Sequence, residues 1–136
     1  MNQRSKNRRR SNRSGATAVE FALTAPLLIF LLFASVEFGR ANMVRHAMDI
    51  AAYEGARRGI VPGATSANAR TVARAELAIV SARGATITVV PATITDDTSD
   101  VTVTISIPMN RNGWIAATFL RNATISRSCT LAREKY

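Results

Sequence analysis

A glycine and a glutamate five residues apart, Gly15 and Glu20, stand where a basic stretch meets a long apolar run. This arrangement suits a chain that a membrane protease trims on the cytoplasmic side, leaving the apolar helix in place. Cleavage after Gly15 would leave a new amine on Ala16, about one helical turn from Glu20. That amine, of the same or a neighbouring subunit, would offset the carboxylate where the dielectric constant is low. Without cleavage, Glu20 would simply lie at the level of the lipid headgroups.

The first 15 residues form a basic leader. They hold six of the 18 basic residues and no acidic residue, so much of the net charge of +9 comes from this stretch. Arginine clusters can neutralise nucleic-acid phosphates, but an apolar segment follows at once, and we do not expect nucleic acid as a partner. Basic residues that flank a membrane helix stay on the cytoplasmic side. The charge pattern therefore predicts a cytoplasmic N-terminus and an exported C-terminal part.

The apolar run from Ala16 to Val36 predicts a membrane-spanning helix, with Glu20 as its single charged residue. As a helix it would be about 31 Å long, close to the thickness of the hydrocarbon core of a bilayer. A cleaved secretory signal is the alternative, but the run is longer than a typical signal core and charged residues follow it closely. Pro26 lacks an N–H group, which predicts a kink or local loosening of the helix.

The residues after the run predict two helical stretches. Helical spacing continues over residues 37–60, with small and apolar residues on one side and polar residues on the other. The small-residue face can pack either on the chain's own domain or on another subunit. A second helix is predicted from an N-cap at Ser66 to Arg83, with Gly84 just beyond its end. The small-residue face comprises Ala41, Val44, Met48, Ala51, Ala52, Gly55 and Gly59.

Three later stretches alternate apolar and hydroxyl-bearing residues and predict strands, near residues 86–89, 101–107 and 124–131. Arg127 is an exception on the apolar side of the third stretch. A threonine-rich polar face indicates an antiparallel sheet that is packed on one side only, with the helices as its cover. The predicted boundaries are 1–15 for the leader, 16–36 for the membrane helix, 37–60 for its extension and 61–136 for an exported α+β domain.

The sequence predicts neither an enzyme nor a bound metal or cofactor. It has one cysteine, Cys129, and one histidine, His46, and it lacks a catalytic constellation or a glycine-rich phosphate loop. Asp96, Asp97 and Asp100 could be read as a calcium loop, since hard cations favour clustered carboxylates. The spacing lacks the pattern of such loops and their closing glutamate, so a solvated turn is the better interpretation.

The junction resembles the class III signal of type IV prepilins: Gly15, four small or apolar residues, then Glu20-Phe21 and a long apolar run. The wider stretch is similar to the TadE-like family, the pilin-like proteins encoded with tight-adherence (Tad/Flp) pilus systems. The blocks 36–40, Val-Glu-Phe-Gly-Arg, and 51–57, Ala-Ala-Tyr-Glu-Gly-Ala-Arg, agree with that family as well. The resemblance covers residues 14–60, and beyond them only the strand-rich ending, closing on Arg133-Glu134, is similar.

The resemblance implies a pilin-like α+β fold, in which a long membrane-spanning helix continues into a domain with a second helix on a small antiparallel sheet. It implies that a prepilin peptidase cuts between Gly15 and Ala16, where it needs a residue without a side chain. Glu20 and Phe21 then serve processing, assembly or both.

The same resemblance implies a minor pilin or pseudopilin of the bacterial inner membrane, with a cytoplasmic N-terminus and an extracytoplasmic domain. Its implied partners are the membrane, the peptidase, other pilin or pseudopilin subunits and the pilus assembly proteins. The alternative function is an uncleaved single-pass anchor that carries an extracytoplasmic binding or sensing module.

Overall fold

The computed structural model describes residues 13–114, 120 and 122–133. Its elements confirm the predicted α+β class, with a long apolar N-terminal helix, a second helix and a three-stranded antiparallel sheet. The elements in chain order are helix α1 (Arg13–Gly59), helix α2 (Ser66–Ile79), strand β1 (Thr86–Val90), strand β2 (Asp100–Pro108), a 3₁₀ turn (Met109–Arg111) and strand β3 (Thr124–Ala132).

The chain divides into two units between Phe33 and Ala34. In the N-terminal unit the described residues belong to α1, which continues through Pro26 without a break. The large apolar side chains here are exposed, with Phe21 at 69% and Leu23 at 75%. Within the described residues, one helix is long and apolar enough to cross a membrane by length and composition. Its most apolar window has a mean hydropathy of 2.2, and none of that window is buried.

The C-terminal unit is built around the antiparallel sheet, in which β2 lies between β1 and β3. Val103 of β2 stands opposite Val89 of β1 and Cys129 of β3. Every second residue of β2 points into the core and is buried. These residues are Val101, Val103, Ile105 and Ile107.

The other face of the sheet carries rows of hydroxyl groups. Thr102 and Thr130 approach to 2.8 Å through their hydroxyl oxygens, and Thr104 and Ser128 approach to 3.1 Å. Such hydroxyl pairs stabilise neighbouring strands where water can still reach them. The sheet therefore has one apolar face, covered by helices, and one polar face, as its alternating sequence predicts.

The small-residue face of α1 packs within the chain's own C-terminal unit. A Cβ atom added to Gly55 would lie 3.1 Å from the Cβ of Ala73 on α2. One added to Gly59 would lie 2.8 Å from a methyl group of Val101. Glycine is needed at these points because the backbone of α1 approaches its neighbours closely. The sequence leaves open whether this face packs on the chain's own domain or on another subunit, and the structure shows that it packs on the chain's own domain.

Arg127, the exception on the apolar side of β3, has a specific partner. Its Nε lies 3.2 Å from a carboxylate oxygen of Asp49 on α1. Both side chains are partly exposed, 28% for Arg127 and 52% for Asp49. A charged residue is tolerated there because its guanidinium reaches the polar side of the helix that covers the sheet.

The N-terminal end of α2 differs by one residue from the prediction, because Thr65, not Ser66, is the N-cap. The Thr65 hydroxyl accepts a hydrogen bond of 3.2 Å from the backbone N–H of Asn68. Serine and threonine are both good N-cap residues, so adjacent Thr65 and Ser66 compete for the position. The sequence indicates the type of cap but cannot choose between two adjacent candidates.

The C-terminal end of α2 differs more from the prediction. The helix ends at Ile79 and does not extend to Arg83. Ser81 adopts a left-handed conformation, with φ of 52°, and its N–H donates to the carbonyl of Ala78 at 2.9 Å. The N–H of the next residue, Ala82, donates to Leu77 at 3.1 Å. This pair of bonds is the Schellman motif, which usually has glycine at the left-handed position. Serine occupies that position here, so Gly84 does not close the helix.

Candidate functional site

The four residues of the predicted processing site lie near the N-terminal end of the described part of α1. Gly15, Ala16, Glu20 and Phe21 are all helical and exposed. Ala16 and Glu20 are four residues apart, so they lie on the same side of the helix, about 6 Å apart along its axis. The Gly15–Ala16 bond lies close to Arg13, the first described residue of α1.

Glu20 introduces a carboxylate into an otherwise apolar stretch. Among the side chains that the structure describes, none forms an ion pair with it. Thr24 lies one turn further on, and its hydroxyl donates to the backbone carbonyls of Glu20 at 3.0 Å and Phe21 at 3.3 Å. Thr24 therefore satisfies its own polar group within the helix and makes no hydrogen bond to the Glu20 carboxylate.

A second polar cluster centres on Arg40 of α1, which is only 5% exposed. Its Nη2 donates to the carbonyl of Val80 at 2.7 Å, and its Nε donates to the carbonyl of Asn112 at 3.1 Å. Val80 is the C-cap of α2. Carbonyl groups at the C-terminal end of a helix lack intrahelical donors and carry partial negative charge. Arg40 thus caps α2 and binds the residue that follows the 3₁₀ turn.

Asn112 completes this cluster from the other side. It is 3% exposed, and its amide oxygen accepts a 2.8 Å bond from the backbone N–H of Arg83. Its amide nitrogen donates to the carbonyls of Arg83 at 2.9 Å and Pro108 at 2.8 Å. The side chain therefore holds the segment after α2 against the end of β2. Buried amide groups with three hydrogen bonds fix local geometry, since each unmade bond would be costly.

Glu37 lies one turn before Arg40 on the same helix and is 2% exposed. Both of its carboxylate oxygens are buried and have no hydrogen-bond partner in the described part of the chain. Arg40 directs its guanidinium to backbone carbonyls instead and makes no ion pair with Glu37. An unpaired buried carboxylate costs stability. Among the described residues, Glu37 therefore has no polar contact that would offset the cost of its burial.

From the sequence, Glu37 and Arg40 were noted only as members of the block 36–40 that resembles the TadE-like family. Asn112 was not among the predicted site residues. A signal for the first two was present in the helical spacing. Positions 37 and 40 extend the face that contains Ala41, Val44 and Met48, so both charged residues fall on the buried side. Asn112 offered no comparable signal, because its partners are distant in the sequence.

Residues 15–57 are TadE-like. They match the model of the family described as TadE-like protein. The matched stretch begins at Gly15 and includes Glu20, Glu37 and Arg40, so it confirms the resemblance seen in the sequence. No curated protein and no solved structure matches the chain significantly.

The TadE-like match has consequences for the type of protein. The TadE-like family implies a pilin-like protein associated with the Tad pilus. It is a family of structural pilus components and not a known enzyme family. The apolar helix and the pilus family together fit a single-pass membrane protein.

The remaining predicted residues lie outside the TadE-like segment. Asp96 accepts a 3.2 Å contact from Arg133, which also donates to the carbonyl of Thr95 at 2.6 Å. Asp97 is exposed in the same turn, and Asp100 is the first residue of β2. Across the residues that the structure describes, no three His, Cys, Asp or Glu side chains form a group suited to a metal. Glu134 and residues 1–12 of the leader lie outside the described residues.

Proposed function

We propose that this protein is a minor pilin or pseudopilin of a Tad pilus assembly system, trimmed by a prepilin peptidase between Gly15 and Ala16. The observation that carries the proposal is the TadE-like match, which begins at Gly15 and continues through the exposed apolar helix. The leader then lies in the cytoplasm and the C-terminal unit lies outside the inner membrane. The partners are the peptidase, other pilin or pseudopilin subunits and pilus assembly proteins.

The local structure supports cleavage at this bond. A peptidase must reach the carbonyl of Gly15, and Gly15 is exposed. Glycine weakens the helix at this point, by about 1 kcal/mol relative to alanine. A Cβ atom added to Gly15 would meet nothing within 4 Å, unlike one added to Gly55 or Gly59. Packing among the described residues therefore gives no reason for a glycine at position 15, whereas recognition by a peptidase does.

The cut changes the electrostatics of the helix start. It creates an amine on Ala16, on the same side of α1 as Glu20, and makes that turn the positive end of the helix dipole. In an apolar environment, the amine and the carboxylate attract strongly at short range. An amine of a neighbouring subunit serves as well, which links trimming to subunit packing.

The intact mass of the full chain, purified from membranes of cells with and without an active prepilin peptidase, tests the proposal. We expect a chain that begins at Ala16 only where the peptidase is active. Gly15→Leu should abolish trimming. Gly39→Leu is the matched control, because Gly39 is an exposed glycine of the same helix whose added Cβ also meets nothing within 4 Å. Retention of residues 1–15 in the parent chain would contradict the proposal and favour the uncleaved anchor with a binding or sensing module.

Glu20 is tested separately from cleavage. We expect Glu20→Gln to insert and be trimmed normally but to enter assembled filaments or assembly complexes less often, because the new amine loses its counter-charge. The control is Glu54→Gln, which removes a carboxylate from a partly exposed ion pair further along α1. If the Glu20 variant assembles as well as the parent chain, charge pairing at this position is wrong.

A further inference from the structure

A partly open cavity of about 190 Å³ lies beside the Arg40 cluster. Three arginines, Arg40, Arg83 and Arg111, line it together with the side chain of Trp114. The guanidinium carbon of Arg40 lies 5.3 Å from the centre of the Trp114 ring, within the range of a cation–π contact. No acidic residue is part of the described lining.

The positive charge at this cavity has no acidic counterpart in the described part of the chain. The strong hydrogen bonds of Arg40 go to uncharged carbonyls, and neither Arg83 nor Arg111 forms an ion pair with a described side chain. Glu37 is buried one turn away, but its carboxylate makes no bond to Arg40. Guanidinium groups bind phosphate with paired, charge-assisted hydrogen bonds. The exposed Arg83 and Arg111 therefore favour a phosphate group at this cavity, and the charge of the buried Arg40 adds to the attraction.

The position of the cavity along α1 indicates where that phosphate comes from. Arg40 follows Val36, the last residue of the predicted span, by four residues, which is about 6 Å of helix. The headgroup layers extend about 5–8 Å beyond the hydrocarbon core on each side of a bilayer. Tryptophan is also enriched at this depth, where its ring meets both lipid and water. Trp114, at 60% exposure, is available for such a contact.

We propose that the cavity lined by Arg40, Arg83, Arg111 and Trp114 binds the phosphate group of an anionic phospholipid at the outer surface of the membrane. The inference rests on the proposed insertion of residues 16–36. Binding there fixes the C-terminal unit to the membrane surface before the subunit enters an assembly.

Trp114 provides the measurement, because it is the only tryptophan of the chain. The full-length protein in a neutral detergent is titrated with dihexanoyl phosphatidylglycerol while tryptophan fluorescence is recorded. We expect a saturable change. Arg83→Gln and Arg111→Gln should each raise its midpoint about tenfold, since each removes a charge-assisted contact to phosphate. Both residues are exposed, so the fold should be retained, as circular dichroism can verify.

The control variant is Arg74→Gln, which removes an exposed arginine of α2 that does not line the cavity. Its midpoint should equal that of the parent chain. Equal midpoints for all the variants, or no saturable change, would overturn the site. Saturation by inorganic phosphate at the same midpoint would overturn the lipid assignment in favour of free phosphate. Tighter binding of a glutamate-rich peptide would overturn it in favour of an acidic protein partner.

The titration is independent of the test of the proposed function. It uses the detergent-solubilised chain, so its result does not depend on trimming by the peptidase. A chain that keeps its leader in cells but binds phosphatidylglycerol through Arg83 and Arg111 would contradict the trimming and leave the lipid site standing. A chain that is trimmed but shows no arginine-dependent binding would contradict the lipid site and leave the proposed trimming standing.

Discussion

The two parts of α1, before and after the division between Phe33 and Ala34, follow different patterns within one continuous helix. Before the division, apolar side chains are exposed around the helix, as Leu28 at 63% illustrates. After it, one face of small and apolar residues is buried, and Met48 on that face is fully covered. The comparison teaches that the surroundings of a helix follow from the distribution of its side chains. A helix without a polar side needs an apolar environment from outside the chain, and a bilayer provides one.

One glutamate from each part, Glu20 and Glu37, shows the same difference in exposure. Glu20 is exposed in the apolar stretch, whereas Glu37 is buried in the C-terminal unit, and neither has a partner among the described side chains. Trimming would supply Glu20 with an amine. Glu37 would gain no new charge from trimming, so its carboxylate stays a cost within the folded unit.

The largest expected difference in stability is between two alanine substitutions, one in each part of α1. Met48→Ala should lower the free energy of unfolding of the C-terminal unit by about 3 kcal/mol, because it leaves a cavity in a packed core. Leu28→Ala should leave that free energy unchanged. Denaturant unfolding of the full chain in detergent measures both. Similar losses from the two variants would break the comparison, since they would show that the apolar stretch is also part of the folded core.

An arginine in the apolar stretch tests its insertion directly. Leu28→Arg should oppose membrane insertion by about 3 kcal/mol, the cost of a cation near the centre of a spanning helix. The protein should then be extracted from membranes by alkaline carbonate. Asn42→Arg, at an exposed position of the second part, should stay in the membrane fraction as the parent chain does. Retention of the Leu28 variant would count against a membrane span.

Replacing Glu37 by an apolar residue sharpens the contrast between the two glutamates. Glu37→Met should raise the free energy of unfolding by about 2 kcal/mol, because it removes a buried carboxylate that has no hydrogen bond. The same denaturant titration measures this gain. Glu20→Met should leave the unfolding of the C-terminal unit unchanged. A loss of stability in the Glu37 variant would show that this carboxylate has a stabilising partner.

A pair of glycines on the second part of α1 should respond with opposite signs. Gly59→Ala should destabilise by about 1 kcal/mol, because its new Cβ would lie 2.8 Å from a methyl group of Val101. Gly39→Ala should stabilise by up to about 1 kcal/mol, because alanine favours a helix and its Cβ meets nothing within 4 Å. Thermal unfolding of the two variants measures the difference. Two changes of the same sign would contradict the close packing at Gly59.

The smallest effect is expected at the ion pair between α1 and β3. Asp49→Asn should lower the free energy of unfolding by about 0.5 kcal/mol, since partly exposed pairs contribute little. The effect should shrink in 1 M salt, where such charges are screened. A double-mutant cycle with Arg127→Gln isolates the coupling of the two side chains. A coupling above about 2 kcal/mol would show that the pair behaves as a buried one.

Much of the fold could be predicted because its signals are periodic. The apolar run, the small-residue face of α1 and the alternation of β2 each repeat with the period of their element, and burial follows these repeats. The two ends of α2 were harder to predict from the sequence. Thr65 and Ser66 are chemically alike, and the left-handed turn falls on Ser81 although glycine usually takes that position. The processing site remains a prediction, read from the spacing of Gly15 and Glu20 and from the family that it resembles.

The sequence by itself determined the helix that needs an apolar environment, the TadE-like junction and the apolar face of the sheet, because these depend on neighbours within a few residues. Only the tertiary structure decided the Arg40 cluster, the partner of Arg127 and the packing of the small-residue face. Arg40 and Asn112 are 72 residues apart in the chain. No local pattern encodes their contact, because it exists only where the ends of α2 and β2 are brought together.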